Sequence, residues 1–230
     1  MPKADEHRVY LVTGANRGIG LAFVRALSER GDRVIAAARR PEEARDLAKL
    51  PVRAEPLDVA DEKSVAGLAR RLAGEPLDVL INNAAIGDDG PAFEGLPMKS
   101  LEEAFRVNAV GPAAVTQALL PNLRAGRSRT VVNLSSGLGS ISENDSGGWI
   151  AYRASKAALN QLTRTIAVEL KRERFICVAI CPGWVRTDMG GRGAPLSPDA
   201  SVASMLKVLD RLTLADSSRF LDRHGQDSPW

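Results

Sequence analysis

Tyr152 and Lys156 stand four residues apart where a polar, glycine-rich loop gives way to an apolar helical pattern. On a helix that spacing puts phenol and ammonium on one face, and a phenol beside a cation gives up its proton more easily. Ser135 and Ser136 close an apolar run upstream of the loop. With Ser136 folded back toward that face, a substrate oxygen would meet a hydroxyl that polarises it, a tyrosine that exchanges a proton with it and a lysine that tunes the tyrosine. That is acid and base equipment for a carbonyl or an alcohol. Tyr-x-x-x-Lys also arises by chance at amphipathic helix starts with exposed charge, so its weight depends on what surrounds it.

A second feature handles anions. Residues 9 to 13 form a short, almost wholly apolar run, as in a strand covered on both faces. It leads directly into Gly14, Arg17, Gly18, Ile19 and Gly20, after which Leu21, Ala22, Val24 and Leu27 carry a helical pattern that stops at Gly31. Strand, glycine turn and helix in that order gather backbone N–H groups and a positive helix end at one point. The spacing Gly-x3-Gly-x-Gly differs from the usual dinucleotide fingerprint, and a plain tight turn is the bland alternative; the place after a first strand favours phosphate. Residues 34 to 38 read as the second strand, followed by Arg39, Arg40 and a helix start at Pro41. An acid at the end of this strand would bind free ribose hydroxyls, whereas arginine suits a 2′-phosphate. Ala38 and Arg39 stand there, with Arg17 as a second cation. The pattern favours NADP over NAD, against the reading of two merely exposed arginines.

Positioning these groups takes an alternating chain. Residues 52 to 57 make a weak third strand; Asp58 behind it either hydrogen-bonds an adenine amino group or caps a turn, and Asp61 caps a helix over 64 to 72. The fourth strand, 77 to 81, is closed by Asn82, Asn83, Ala84 and Ala85, small or amide-bearing residues that let a flat ligand approach backbone. A long helical stretch from about 100 to 123 holds Asn108 in its interior, where asparagine is a poor helix former and costly to bury unpaired. It either closes a local kink near Gly111 and Pro112 or marks a distorted helix that holds a water on a proton path to Lys156. Residues 130 to 134 form the fifth strand, the helix after Tyr152 reaches Leu170, and 175 to 180 form the sixth strand, which Pro182 and Gly183 break, freeing backbone toward a ligand. The segment 190 to 198 looks mobile, a helix runs from Asp199 or Ser201 to about Leu214, and Phe220 and Leu221 hint at a last strand. The expected fold is one α/β domain over 1 to 230, a single doubly wound parallel sheet of Rossmann-like type with helices on both faces, in which 190 to 214 is a substrate-side loop and helix. The marked residues follow strands, where such sheets bind ligands.

Hydrophobic residues make up 44% and charged residues 26% of the 230, enough for a sizeable core and too ordinary for bulk disorder. A net charge of +3, scattered basic pairs and 4% aromatics argue against nucleic acid as a partner. Cys177 and Cys181 on one strand would lie roughly 13 Å apart, beyond a disulfide. They read as two buried small apolar side chains, suited to a reducing cytoplasm. The first eight residues carry no apolar leader core, and the longest apolar region, 109 to 123, is cut by Pro112, Gln117 and Pro121. Neither a targeting segment, a membrane span nor a metal site is expected.

Taken in order, TGANRGIG, NNAA, Asn108, the stretch from Ser136 to Tyr152, YRASK and PGWVRT resemble the short-chain dehydrogenase/reductase family over nearly the full length. SSGLGSI, SGGWIAYRASKAALN, PGWVRTDMGG and DRHGQDSPW resemble its C-factor-like and Sniffer-like carbonyl reductase branch. The resemblance implies a catalytic tetrad of Asn108, Ser136, Tyr152 and Lys156. It implies a cofactor held by Gly14, Arg17, Gly18, Ile19 and Gly20 at the pyrophosphate and adenosine end, Arg39 at the 2′-phosphate, Asp58 and Val59 at the adenine, and Asn83 with Ala84 at the adenosine ribose region. Tyr152 and Lys156 would also hold the nicotinamide ribose, and Pro182, Gly183, Val185 and Thr187 the nicotinamide.

The implied activity is reduction of an aldehyde, ketone or quinone with NADPH in preference to NADH. Two alternatives stand beside it: a nucleotide-binding signalling or interaction protein with little turnover, and NAD-dependent alcohol oxidation. The partner would be a small-molecule carbonyl substrate, the location cytoplasmic, and the assembly a homodimer or homotetramer in which Ala113, Ala114, Ala157 and Ala158 allow close approach. Two departures matter. Ala85 stands where the family usually has glycine, which tightens the cofactor pocket slightly. The loop between Ser136 and Tyr152 is a few residues longer than the commonest spacing, which leaves the choice between the two serines less secure, although Gly137 to Gly139 point to Ser136. Trp149 and Trp184 suit an apolar or aromatic substrate, or simply pack the loops.

Overall fold

Seven strands, all paired in parallel, make one sheet in the computed structural model, which describes residues 7–87 and 92–230. Residues 1–6, most of the stretch read above for a leader core, lie outside the described part. The strands are β1 (Val9–Thr13), β2 (Arg33–Ala38), β3 (Arg53–Pro56), β4 (Val79–Asn82), β5 (Thr130–Leu134), β6 (Ile176–Cys181) and β7 (Phe220–Asp222), ordered β3-β2-β1-β4-β5-β6-β7. After β3 the chain returns to the other flank of β1, so the strand order reverses between β1 and β4. Such a reversal opens a crevice beyond the carboxyl ends of the strands.

The apolar runs of β1, β4 and β5 are continuous because both faces are covered. On one face Tyr10, Val12, Val132 and Val178 pack against α1 (Gly18–Glu29) and α7 (Pro198–Leu209) through Phe23, Leu27 and Met205. On the other, Leu11, Leu80, Val131 and Cys177 meet α2 (Glu62–Arg71), α4 (Gly111–Ala118), α5 (Leu120–Ala125) and α6 (Ile150–Glu169) through Leu68, Val115, Leu123 and Ala167. Burying a side chain such as Phe23 stabilises by about 1.5–3 kcal/mol, and Phe23→Ala would cost about 3–5 kcal/mol once the cavity is included. Asp61 caps α2 as expected, its side chain accepting from the Lys63 N–H at 2.9 Å.

Three expectations need correction. The long helix over 100 to 123 is α3 (Met98–Phe105), a π turn (Arg106–Val110), α4 and α5 in succession, because the turn carrying Asn108 widens and Pro112 and Pro121 each open a new helix. Pro41 starts no α-helix: the β2 to β3 connection holds two 3-10 turns, Pro41–Glu43 and Leu47–Lys49, with Ala44 and Leu47 as its buried anchors. Cys177 is buried, but Cys181 at the end of β6 is only half-buried, and its Sγ accepts from the Gly137 N–H at 3.2 Å. No helix among the described residues is long and apolar enough to cross a membrane.

Candidate active site

The crevice at the carboxyl ends of the strands is a cleft of about 720 Å³. Its phosphate-sized end is built by the glycine turn. Gly14 has φ +65°, and a Cβ there would come within 2.9 Å of the Ala84 Cα. A Cβ on Gly20 would fall 2.2 Å from the Gly14 carbonyl oxygen, so Gly20 works by letting α1 press onto the turn and does not border the cleft. Gly14, Arg17, Gly18 and Ile19 do border it. Arg17 caps α1 in extended backbone without a side-chain cap bond, which leaves the first helical N–H groups facing outward.

Asn83 braces this turn from β4: its Nδ2 donates to the carbonyls of Thr13 (2.8 Å) and Gly14 (3.1 Å). In return the Thr13 hydroxyl accepts the backbone N–H groups of Asn83 and Ala84, each at 3.0 Å. Thr13 is not among the residues singled out from sequence. The signal for it was a lone hydroxyl ending an apolar strand directly before the turn.

At the adenosine-sized end, Arg39, Asp58 and Val59 line the cleft. Arg39 is exposed and its guanidinium has no partner among the described residues, whereas Arg40 is paired with Glu43 at 3.0 Å and Arg17 with Asp188 across the cleft mouth. Asp58 caps its own turn, Oδ1 accepting from the Ala60 N–H at 2.9 Å.

The acid and base groups meet deeper in. Lys156 on α6 is buried, and its Nζ donates to the Leu134 carbonyl at 2.7 Å and sits 5.7 Å from the centre of the Tyr152 ring. Tyr152, one turn earlier, borders the cleft, and its phenol lies close enough to Ser136 for that hydroxyl to favour the phenolate. Burial pushes that phenol up to about 12, against the lowering effect of Ser136. Burial also pushes Lys156 down to about 8, with Cys181 acting weakly the other way. The expectation that the ammonium drags the phenol down is therefore not met, because desolvation dominates and the ammonium is spent on a carbonyl. The two serines differ in their partners: Ser135 borders the cleft, is buried and donates to Asn160 Oδ1 at 2.6 Å, while Ser136 lies outside the cleft lining, beside Tyr152, and its hydroxyl accepts the Leu138 N–H at 3.1 Å.

Asn108 lies fully buried in the π turn and does not border the cleft. Its Oδ1 accepts the Ile86 N–H and its Nδ2 donates to the Ile86 carbonyl, both at 2.9 Å, and to Ser155 Oγ at 3.0 Å. Ser155 in turn donates to the Tyr152 carbonyl at 2.8 Å, so the distorted turn is tied both to the segment after β4 and to the helical turn that carries the phenol. Ser155 and Asn160 went unmarked in the sequence because a polar residue inside a helix looks the same whether it faces solvent or another helix.

The strap after β6 forms the remaining wall. Pro182 and Thr187 border the cleft; Gly183, at φ +81°, and buried Val185 do not, and instead pack toward Leu196. Residues 190 to 198, read as mobile, are tied down: Trp184 Nε1 donates to the Gly190 carbonyl at 2.8 Å and Arg186 Nη1 to the Ala194 carbonyl at 3.0 Å. On the opposite side, the Trp230 carbonyl oxygen accepts from the Ser140 hydroxyl and from the Ile141 N–H, both at 3.1 Å. Among the described residues no group of His, Cys, Asp or Glu is arranged to hold a metal ion.

A family model described as short chain dehydrogenase matches residues 8–194. C-signal of Myxococcus xanthus is 44% identical over 155 residues, 67% of this chain and 93% of that protein. The NADPH-bound carbonyl reductase from chicken fatty liver superposes with a TM-score of 0.91 at 37% identity, covering 97% of this chain and 99% of that one. The carbonyl reductase Sniffer of D. melanogaster gives 0.93 at 30% identity, covering 98% and 100%. With a reversed parallel sheet, a glycine turn at its switch point and these relatives along its length, the chain belongs to the short-chain dehydrogenase/reductase family of oxidoreductases, in its C-factor-like and Sniffer-like branch.

Proposed function

We propose that this chain reduces the carbonyl group of an aldehyde, ketone or quinone to an alcohol, using NADPH. The observation that carries the reading is Tyr152 and Lys156 side by side at the edge of a nucleotide-sized cleft, the Lys156 Nζ 5.7 Å from the centre of the Tyr152 ring, with Ser136 beside the phenol. The residues present fit the cofactor: glycines where a Cβ would collide, outward helix N–H groups, and Arg39 unpaired where a 2′-phosphate would lie. When bound, NADPH supplies the hydride. Tyr152, protonated at neutral pH, donates a proton to the substrate oxygen, and Ser136 polarises that oxygen. Lys156 orients the phenol from one turn behind and would hold the nicotinamide ribose. Asn108, by fixing the π turn against Ile86 and Ser155, would shape the place for a water that returns a proton through Lys156. Gly183 and Val185 shape the nicotinamide wall by seating Pro182 and Thr187, and Asp58 and Val59 frame the adenine. Solved relatives described as NADPH-bound carbonyl reductase and carbonyl reductase support the same assignment.

A second reading is a nucleotide-responsive signalling protein with little turnover, favoured by the name of the relative C-signal. Titration with NADPH against NADH, followed by turnover on a panel of aldehydes, ketones and quinones, separates the two. Tight NADPH binding with no turnover on any of them would overturn the reductase reading, and preference for NADH would overturn the assignment of Arg39.

A further inference from the structure

The opposite edge of the sheet holds a second cavity, of about 830 Å³, unrelated to the cleft. Arg8 precedes β1, Arg127 and Arg129 precede β5, and Arg174 precedes β6; because these strands run parallel, their leading loops converge at the amino ends, and all four arginines line this cavity. The rest of its wall is largely apolar, with Leu209 at the end of α7 and Leu212 and Leu214 just beyond. Among the described residues no carboxylate lines it.

Among the described residues no carboxylate is paired with the guanidinium groups of Arg8, Arg129 or Arg174. Asp78 accepts the N–H groups of Val9 (2.9 Å) and Arg127 (2.7 Å) and lies 3.7 Å from the Arg127 guanidinium. The Glu173 carboxylate is held by Arg124 at 2.6 and 2.9 Å, and Asp32 by Arg30. Arg127 and Arg129 donate to the neutral carbonyls of His7 (2.5 Å) and Glu173 (2.9 Å), and the Arg8 backbone N–H donates to Asp32 Oδ1 at 3.0 Å. The Arg174 side chain has no partner among the described residues.

Two of these arginines also stand where the backbone would prefer glycine. Arg129 has φ 46° and Arg174 has φ 62°. A non-glycine residue in that region costs on the order of 1 kcal/mol. Cationic side chains are thus kept at strained positions around a cavity whose described lining offers them no carboxylate. Guanidinium groups match phosphate oxygens in fork geometry, and the leucines suit an apolar body attached to that phosphate.

We infer that this cavity is a second ligand site, for a small organic phosphate whose charged group lies among the four arginines and whose apolar part packs on Leu209, Leu212 and Leu214. Glycine relieves the backbone at both positions, which offsets the lost Arg129 bond to the Glu173 carbonyl, so the variant Arg129→Gly/Arg174→Gly removes half the charge while keeping the fold near its parent stability.

The test is calorimetric titration of the full chain with hexyl phosphate and with inorganic phosphate. Hexyl phosphate should bind the parent protein and Arg39→Ala alike, bind more tightly than inorganic phosphate, and lose about tenfold in affinity in the double glycine variant. Arg174→Gln, which orphans no partner, is the second variant and should lose several-fold. Equal affinity for the two probes, unchanged binding in both arginine variants, or binding lost in Arg39→Ala and kept in the glycine variant would each overturn the site. The last result would assign the phosphate to the nucleotide cleft, and none of the three bears on carbonyl turnover, which is measured separately.

Discussion

Thr13 and Asn83 hold each other reciprocally: the Thr13 hydroxyl accepts the Asn83 N–H at 3.0 Å while the Asn83 side chain donates to the Thr13 carbonyl at 2.8 Å. The same hydroxyl also takes the Ala84 N–H, so one oxygen fixes the ends of β1 and β4 on either side of the switch point. Thr13→Val keeps the shape and strands two N–H groups, which should cost about 2–4 kcal/mol. Thr13→Ser should stay near the parent. Urea denaturation measures both, and equal midpoints for all three proteins would show that the brace has no weight.

Removing the Tyr152 oxygen should lower kcat by about 10³-fold, within the range for a lost general acid. NADPH affinity in Tyr152→Phe should remain within a few-fold of the parent. Ser136→Ala should lower kcat by about 10²-fold. Ser135→Ala, which breaks the buried bond to Asn160, should instead lower the unfolding midpoint while largely sparing kcat. Steady-state kinetics beside thermal melts distinguish the serines; the reverse pattern would exchange their roles.

Burial sets a pH signature. Lys156 is pushed from its ordinary 10.5 down to about 8, so between those values the unfolded chain holds a proton that the folded chain lacks, and stability rises with pH. Tyr152 is pushed from 10.0 up to about 12, so above pH 10 the folded chain keeps a proton that the unfolded chain loses, and stability falls. Lys156→Met removes only the first effect. The parent should gain on this variant by about 1.4 kcal/mol for each pH unit climbed inside the lysine window. Guanidinium unfolding of both proteins at several pH values checks this, and parallel curves would refute it.

Arg39 is unpaired and Arg17 is bound to Asp188, so the two cations should not weigh equally in cofactor choice. Arg39→Ala should raise the KM for NADPH by about tenfold or more, in line with a lost charge-assisted contact, and leave the KM for NADH nearly unchanged. Arg17→Ala should cost only a few-fold. A larger loss at Arg17 would mean that its pairing with Asp188 gives way in the complex.

Order and type of the elements were legible because a buried parallel strand and an amphipathic helix leave different periods in the chain, and the glycine turn, Arg39, Tyr152 and Lys156 all lie at strand ends or on one helix face. What escaped were contacts joining distant segments. Nothing local in the sequence couples Thr13 to Asn83, Ser135 to Asn160 or Asn108 to Ile86. Nor can spacing report desolvation, which is why a phenol expected to be acidic is held high. The strap was misjudged for a related reason: glycine and proline mark irregular backbone, yet irregular backbone can be fully hydrogen-bonded.

That strap is held in outline by main-chain groups, with the Arg186 N–H on the Leu196 carbonyl at 2.8 Å and no space beside Gly190, where a methyl would run into the Val185 carbonyl oxygen at 2.0 Å. A frame of this kind tolerates changes in its decoration. Met189, which borders the cleft and is part-exposed beside Gly87, can be exchanged for a residue no bulkier without disturbing the outline, whereas position 190 cannot. Anyone wishing to broaden or narrow the molecules this protein accepts has a fixed mould to work in, and knows which of its facets can be recut.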